Sequence, residues 1–334
     1  MLGGVKKRME EQELIMTTRT APVGQTAPVG RADAPTYWDQ AIGPPEIAFP
    51  GYPVPSPLEE YLFDLRGFLL LKGALNREEV AACNAVVDSI PEPLERSEWW
   101  GYVQREDHPE HRGRSYQQIY EAGPAFERLI DHPSWINYVL RFVGGQGTFD
   151  YHHGPLFIDE NFVTCRGPGD AIPIHGGGHE HCKKTSYLYA NGRFYCGQVN
   201  VLVALTEAGP GDGETMLIPG SHKANIVHPA LLEQGLERWV TGGSLDDIPG
   251  AVSVFMEAGD AIMFVDCCCH GSAKRTTEGE RRFTVFRYGS SWNRTRWGYT
   301  PSDELLSRLN PYAASIVRTT DGSVRAPQAT GSRA

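Results

Sequence analysis

The chain has 334 residues, of which 40% are hydrophobic and 22% charged, and its formal net charge is −10. That is enough for one sizeable core, and the acidic balance disfavours a nucleic-acid polymer as partner while leaving a small phosphorylated substrate open. The seven cysteines are an odd number with no disulfide-scaffold spacing. With no apolar leader and no run long enough for a membrane span, they point to a soluble, cytoplasmic protein.

Residues 1–45 read as a disordered tail. Thr20-Ala21-Pro22-Val23-Gly24 returns as Thr26-Ala27-Pro28-Val29-Gly30, a repeat too short to bury anything, and Met16 is a candidate natural start. A single domain is expected over 46–312, followed by a flexible tail over 313–334. Ser56-Pro57-Leu58-Glu59-Glu60 has the N-cap, proline and acidic first turn of a helix. Gly67-Phe68-Leu69-Leu70-Leu71 then reads as a short strand. A second helix opens at Asn76, with Val80, Cys83, Val86 and Val87 on one stripe. Pro133 to Val143 is a third.

From about residue 147 short apolar runs alternate with Gly, Pro and Asp. They are Phe157-Ile158, Gly197 to Leu205, Thr215 to Ile218, Gly259 to Cys269 and Phe283 to Tyr288. Strands at this spacing indicate a β-sandwich or jelly roll with the early helices packed outside.

His175 follows Ile172-Pro173-Ile174 and precedes three glycines, so it cannot share a helical face with His179. With His270 far downstream, it has the layout of a two-histidine iron site. The usual third ligand of that site, a carboxylate two residues after the first histidine, is here Gly177. A zinc cluster of His175, His179, His181 and Cys182 is the lesser alternative, with His179 and His181 read as loop residues. Cys267, Cys268 and Cys269 read as small buried residues at the end of the strand that leads to His270. Arg281 opens the last strong strand, where a guanidinium can pair bidentately with a dicarboxylate; Arg282 should face the other way, and on sequence alone the two are interchangeable. Gln198 and Asn200 share one strand face and are candidate pocket residues. Lys183, Lys184 and Arg193 flank Tyr187, Tyr189, Phe194 and Tyr195. They suggest a phosphate clamp beside a stacking surface, or a solvated basic loop over core aromatics.

Ile218-Pro219-Gly220-Ser221-His222-Lys223, Ala258-Gly259-Asp260, His270-Gly271-Ser272 and Arg281, taken with His175, resemble the phytanoyl-CoA dioxygenase superfamily over roughly 60–295. The resemblance implies a double-stranded β-helix (jelly roll, cupin-like), iron at His175 and His270, and 2-oxoglutarate anchored by Arg281. The His-x-Gly departure at Gly177 is similar to 2-oxoglutarate halogenases, and in particular to nucleotide chlorinases of purine nucleoside antibiotic pathways. That implies an enzyme using Fe(II), 2-oxoglutarate, O2 and chloride to replace an unactivated C–H bond of a small molecule. Deoxyadenine nucleotides lead the candidates. A hydroxylase with water at the third position, or a non-catalytic metal- or ligand-binding relative, are the alternatives.

Overall fold

The computed structural model describes residues 49–92, 94–107, 113–143, 156–182, 184–190, 192–233, 248–291, 296 and 300–317. In chain order these form α1 (Pro57–Arg66), β1 (Phe68–Leu71), α2 (Arg77–Asp88), β2 (Trp99–Trp100), β3 (Val103–Arg105), β4 (Gly113–Gln117), α3 (Pro124–Glu127) and α4 (Ile136–Phe142). Then follow β5 (Phe157–Arg166), β6 (Ile172–His175), β7 (Tyr187–Ala190), β8 (Arg193–Cys196), β9 (Gln198–Ala204) and β10 (Thr215–Leu217). The last are α5 (Pro229–Glu233), β11 (Val252–Val254), β12 (Ala261–Val265), β13 (His270–Ser272), β14 (Arg281–Gly289), α6 (Asp303–Arg308) and α7 (Pro311–Val317).

The first two helices begin where their caps dictate. Ser56 Oγ accepts from the Glu59 amide while the Glu59 carboxylate accepts from the Ser56 amide, and Asn76 and Glu79 repeat the reciprocal arrangement. Each such box stabilises its helix start by about 1 kcal/mol.

Two antiparallel sheets make the jelly roll. The larger has eight strands in the order β1-β12-β9-β14-β5-β4-β3-β2, and the smaller has four, β11-β10-β13-β6. Period-two alternation divides the apolar side chains between layers. Val199, Val201 and Val203 of β9 and Phe286 and Tyr288 of β14 face the helices. Ala204, Ile262, Phe264 and Phe283 face Leu217 and Val254 of the small sheet. Ile174, Met216 and Cys269 cover the outer face of the small sheet. Arg281 and Arg287, in step with Phe283, therefore point between the sheets, where an anionic ligand would be met.

Three expectations change. The helix expected over 133–143 is Ile136–Phe142, because Pro133 and Ser134 lie in a turn closed by the Trp135 and Ile136 amides on the His132 carbonyl. The run expected as one strand over 259–269 ends at Val265. Cys268 turns back onto the Val265 carbonyl, and His270 starts a new strand in the other sheet. The described core also runs past residue 312, since Ala313, Ile316 and Val317 of α7 are buried in the main core. The tail expected over 1–45 and residues 318–334 lie outside the described residues. No helix among the described residues is long and apolar enough to cross a membrane.

The α7 boundary is tested by Ile316→Ala, which should cost about 2–4 kcal/mol in urea unfolding. A surface residue of a frayed tail would cost nothing measurable.

Candidate active site

His175 closes β6 and His270 opens β13, and the two are direct partners in the antiparallel β6–β13 pair. Their ring centroids lie 4.1 Å apart with the planes at 55°. His175 Nδ1 is 3.0 Å from the Pro173 carbonyl oxygen, and His270 Nδ1 is 2.6 Å from that of Cys268. A carbonyl can only accept, so each Nδ1 carries the proton and each Nε2 keeps a free lone pair. Burial lowers the pKa of His175. Burial, and then the facing charge of His175, push that of His270 well below the ordinary value. Both imidazoles are thus neutral, the form that ligates a metal, and imidazole pairs suit iron among other first-row ions.

No third side chain joins them. Among the described residues no group of three His, Cys, Asp or Glu is placed to hold a metal ion. The zinc alternative with His179, His181 and Cys182 is therefore not assembled. At the third position Gly177 has φ +141°, and a Cβ there would stand 2.3 Å from the His179 ring and 3.2 Å from Cys269 Sγ. Only glycine tolerates that backbone, and the space a side chain would need is filled by an imidazole. The bland reading of His179 as a loop residue thus gains content, since its ring packs on Gly177.

Arg281 is 3% exposed and points between the sheets, with its guanidinium 4.2 Å over the Phe283 ring. Its Nη1 donates to the Gly213 carbonyl, whereas its Nε is buried without a partner. Burial, then the charges of Arg166 and Arg275, lower its pKa to about 9. A buried cation with an unspent donor fits the distal carboxylate of a dicarboxylic cosubstrate. Arg282 faces outward and pairs with Asp88 and Glu280, each at 2.7 Å.

Gln198 and Asn200 are fully buried, in a charged network beside His270. Asn200 Nδ2 donates to Asp266 at 2.8 Å, and Gln198 Nε2 donates to Asp159 at 3.0 Å. Arg287 binds Asp266 at 2.7 Å and Glu160 at 2.8 Å, and Arg296 reaches Asp266 at 2.6 Å. Burial alone would raise the Asp266 pKa, yet Arg287 and Arg296 hold it down at about 2. Sequence reasoning missed Asp266, Arg287, Arg296 and Arg166. For Arg287 the signal was present, three strand periods on from Arg281 on the same face.

The remaining candidates stand apart. Tyr187 donates to the Asp64 carboxylate of α1 and stacks on Phe194. Phe194 is itself packed against Phe63 and Phe142. Arg193 is half-buried at the start of β8, Lys184 is exposed, and Lys183 lies outside the described residues.

A family model described as Phytanoyl-CoA dioxygenase (PhyH) matches residues 63–283, well over half of the chain. Among curated proteins the chain is similar to dioxygenase cdmD of Talaromyces verruculosus, 29% identical over 126 residues, covering 36% of this chain and 35% of that one. It is also similar to dioxygenase trt7 of Aspergillus terreus (strain NIH 2624 / FGSC A1156), 37% identical over 84 residues, covering 25% of this chain and 24% of that one. The chain thus spans about a third of the first relative's length and a quarter of the second's. Among solved structures it is similar to HygX from Streptomyces hygroscopicus with nickel and 2-oxoglutarate bound. The TM-score is 0.59 at 25% identity, over 75% of this chain and 94% of that chain. The iron-bound form of the same protein gives a TM-score of 0.57 at 23% identity, over the same shares, and speaks to the fold.

If the His175–His270 pair holds a metal, His175→Ala or His270→Ala should abolish stoichiometric Fe(II) uptake in metal analysis, while His179→Ala should retain it. The reverse pattern would refute the assignment. Gly177→Asp should lower thermal stability, the left-handed backbone alone costing about 1–3 kcal/mol. Pairing it with His179→Ala should recover part of the loss. Full stability of the single variant would show that the loop accepts a side chain.

Proposed function

The chain belongs to the phytanoyl-CoA dioxygenase family, and we propose that within it the protein is an Fe(II)- and 2-oxoglutarate-dependent halogenase acting on a small molecule. Oxidation dependent on iron and 2-oxoglutarate is the chemistry of the family. The finer step rests on one observation, Gly177 at the third ligand position, in a loop that holds no room for a side chain.

A carboxylate at that position supplies both a donor and a negative charge. Glycine supplies neither, and chloride can supply both. His175 and His270 would hold Fe(II) through their Nε2 atoms, with the Pro173 and Cys268 carbonyls fixing the rings. Arg281 would hold the distal carboxylate of 2-oxoglutarate. Bound Fe(II) with 2-oxoglutarate, O2 and chloride supplies the oxidising power that takes a hydrogen from the substrate and returns chlorine, with succinate and CO2 as by-products. The protein's own share is placement of the substrate C–H bond, because its position decides between chlorination and hydroxylation. The Asp266–Arg287–Asn200–Gln198 network stiffens the wall beside His270 where that placement would be set.

A second reading is favoured by the names of the curated relatives, both dioxygenases. It makes the protein a hydroxylase with water in the third position. A deoxyadenine nucleotide remains one substrate class to assay, although Tyr187 and Phe194, the rings that would stack a base, are engaged by α1 and the core. HygX has been solved with hygromycin B bound, so that compound belongs in the same panel.

Incubation of a substrate panel with Fe(II), 2-oxoglutarate, O2 and chloride decides the matter by mass spectrometry. The expected product carries chlorine when chloride is present and is absent or hydroxylated without it. Hydroxylated product alone, from the correct substrate in abundant chloride, would establish the hydroxylase reading.

A further inference from the structure

Arg166 ends β5 directly opposite Arg281 of β14, so both side chains project from the same face of the large sheet. Like charges facing each other across a sheet are ordinarily destabilising, and burial sharpens the conflict. Arg166 is 1% exposed. Burial, then the charge of Arg275, lower its pKa to about 10. Its Nη1 donates to Ser272 Oγ and its Nη2 to the Asp170 carbonyl, each at 2.6 Å. Its Nε, like that of Arg281, is buried without a partner.

The field at Arg281 comes from Arg166 and Arg275 on one side and Asp212 and Glu214 on the other. Asp212 is already paired with Arg275 at 3.2 Å. Among the described residues neither Arg166 nor Arg281 has an ion pair to a protein carboxylate.

The surroundings are shaped for this arginine. Gly113 of β4 is its other cross-strand neighbour, and a Cβ there would stand 2.8 Å from Arg166 Cγ. Ser272, which Arg166 touches, lies two residues beyond His270 on the same face of β13. Two residues of strand rise about 6.7 Å, a span that an extended five-carbon dicarboxylate bridges. A keto acid with its head at the histidine pair would present its tail here.

We propose that Arg166 is a second anchor for the distal carboxylate of 2-oxoglutarate, closing with Arg281 and Ser272 a two-arginine clamp. This rests on the cosubstrate reading given above. The clamp makes the pocket demand a dicarboxylate, because a ligand without the second carboxylate leaves two guanidiniums buried side by side.

The test is calorimetric binding under argon to Fe(II)-loaded protein, using 2-oxoglutarate and 2-oxobutanoate, which keeps the keto-acid head and lacks the distal carboxylate. Arg166→Gln should weaken 2-oxoglutarate roughly 10- to 100-fold, the loss expected for a hydrogen bond to a charged group. Binding of 2-oxobutanoate should change by less than about twofold, so the ratio of the two affinities collapses. Arg166→Lys keeps the stem and the charge but loses the fork, and should reduce the ratio by a smaller factor. If Arg166→Gln does not fold, the lysine variant decides. An unchanged ratio in the variants that fold, or an equal loss for both ligands, overturns the proposal and leaves Arg166 a structural tie between β5 and β13. Arg281→Gln separates the two levels. If it collapses the ratio while Arg166 variants do not, only the clamp fails. If neither it nor the Arg166 variants move the ratio, or wild-type protein does not bind 2-oxoglutarate, the cosubstrate reading fails and the clamp with it.

Discussion

His175 and His270 meet because β13 pairs with β6, and the remaining geometry of the site follows from that short pairing. β13 is only three residues long, so its place depends on what precedes it. The chain leaves the large sheet at Val265 and enters the small one at His270 through a turn of Asp266 and three cysteines. Each cysteine drops into a different part of the core. Cys267 joins the helix-side cluster, Cys268 the layer between the sheets and Cys269 the outer face of the small sheet. Ser221 braces the same turn, its Oγ accepting from the Cys269 amide at 2.7 Å and donating to the Ile218 carbonyl at 2.6 Å. A small thiol suits each pocket, and burial raises all three well away from ionisation. Their contribution to chemistry is positional: they hold the Cys268 carbonyl that orients His270.

The inner face of β14 carries an arginine at each end, and the two are in opposite electrostatic states. Arg287 has Glu160 and Asp266 as partners, with Asp266 shared by Arg296. That end is complete within the protein, and its low-dielectric surroundings strengthen each contact. Arg281, six residues back on the same strand, faces Arg166 and has only a carbonyl to donate to. An unpaired buried charge is among the costlier things a fold can keep. One end of the strand is therefore closed by the protein's own carboxylates, and the other is where the proposed cosubstrate would bring one, with Phe283 between them.

Much of this was legible in the chain, and the limits have physical causes. The helix starts at Ser56 and Asn76, the alternation of β9 and the opposite facing of Arg281 and Arg282 are local patterns, and local patterns survive in a sequence, although which arginine turns inward does not. The two histidines were legible because the loop after His175 is too glycine-rich for a helix. Arg166 was not, since nothing near it in the chain announces that Arg281 lies across the strand pair. The cysteine turn was misread as strand for a related reason: its residues are as apolar as strand residues, and only the change of sheet reveals the break. The packing of Tyr187 and Phe194 on α1 and the core was not legible, because aromatic rings read the same whether they face a ligand or a core.

Gly177 bears on whether the missing carboxylate is an absence or a design. If the position had simply lost its side chain, the backbone would be expected to keep a conformation open to other residues, with space where the carboxylate had been. Instead φ is +141° and the His179 ring and Cys269 sulfur occupy the side-chain direction. The loop is bent around glycine, and Cys269 Sγ donates to the neighbouring Gly176 carbonyl at 3.2 Å. Restoring a carboxylate would require a new backbone conformation at Gly177, a shift of the half-buried His179 ring and a few tenths of an ångström from Cys269 Sγ. A metal held by such a pair would complete its coordination from solution, and that opening is the one the proposed chloride would take.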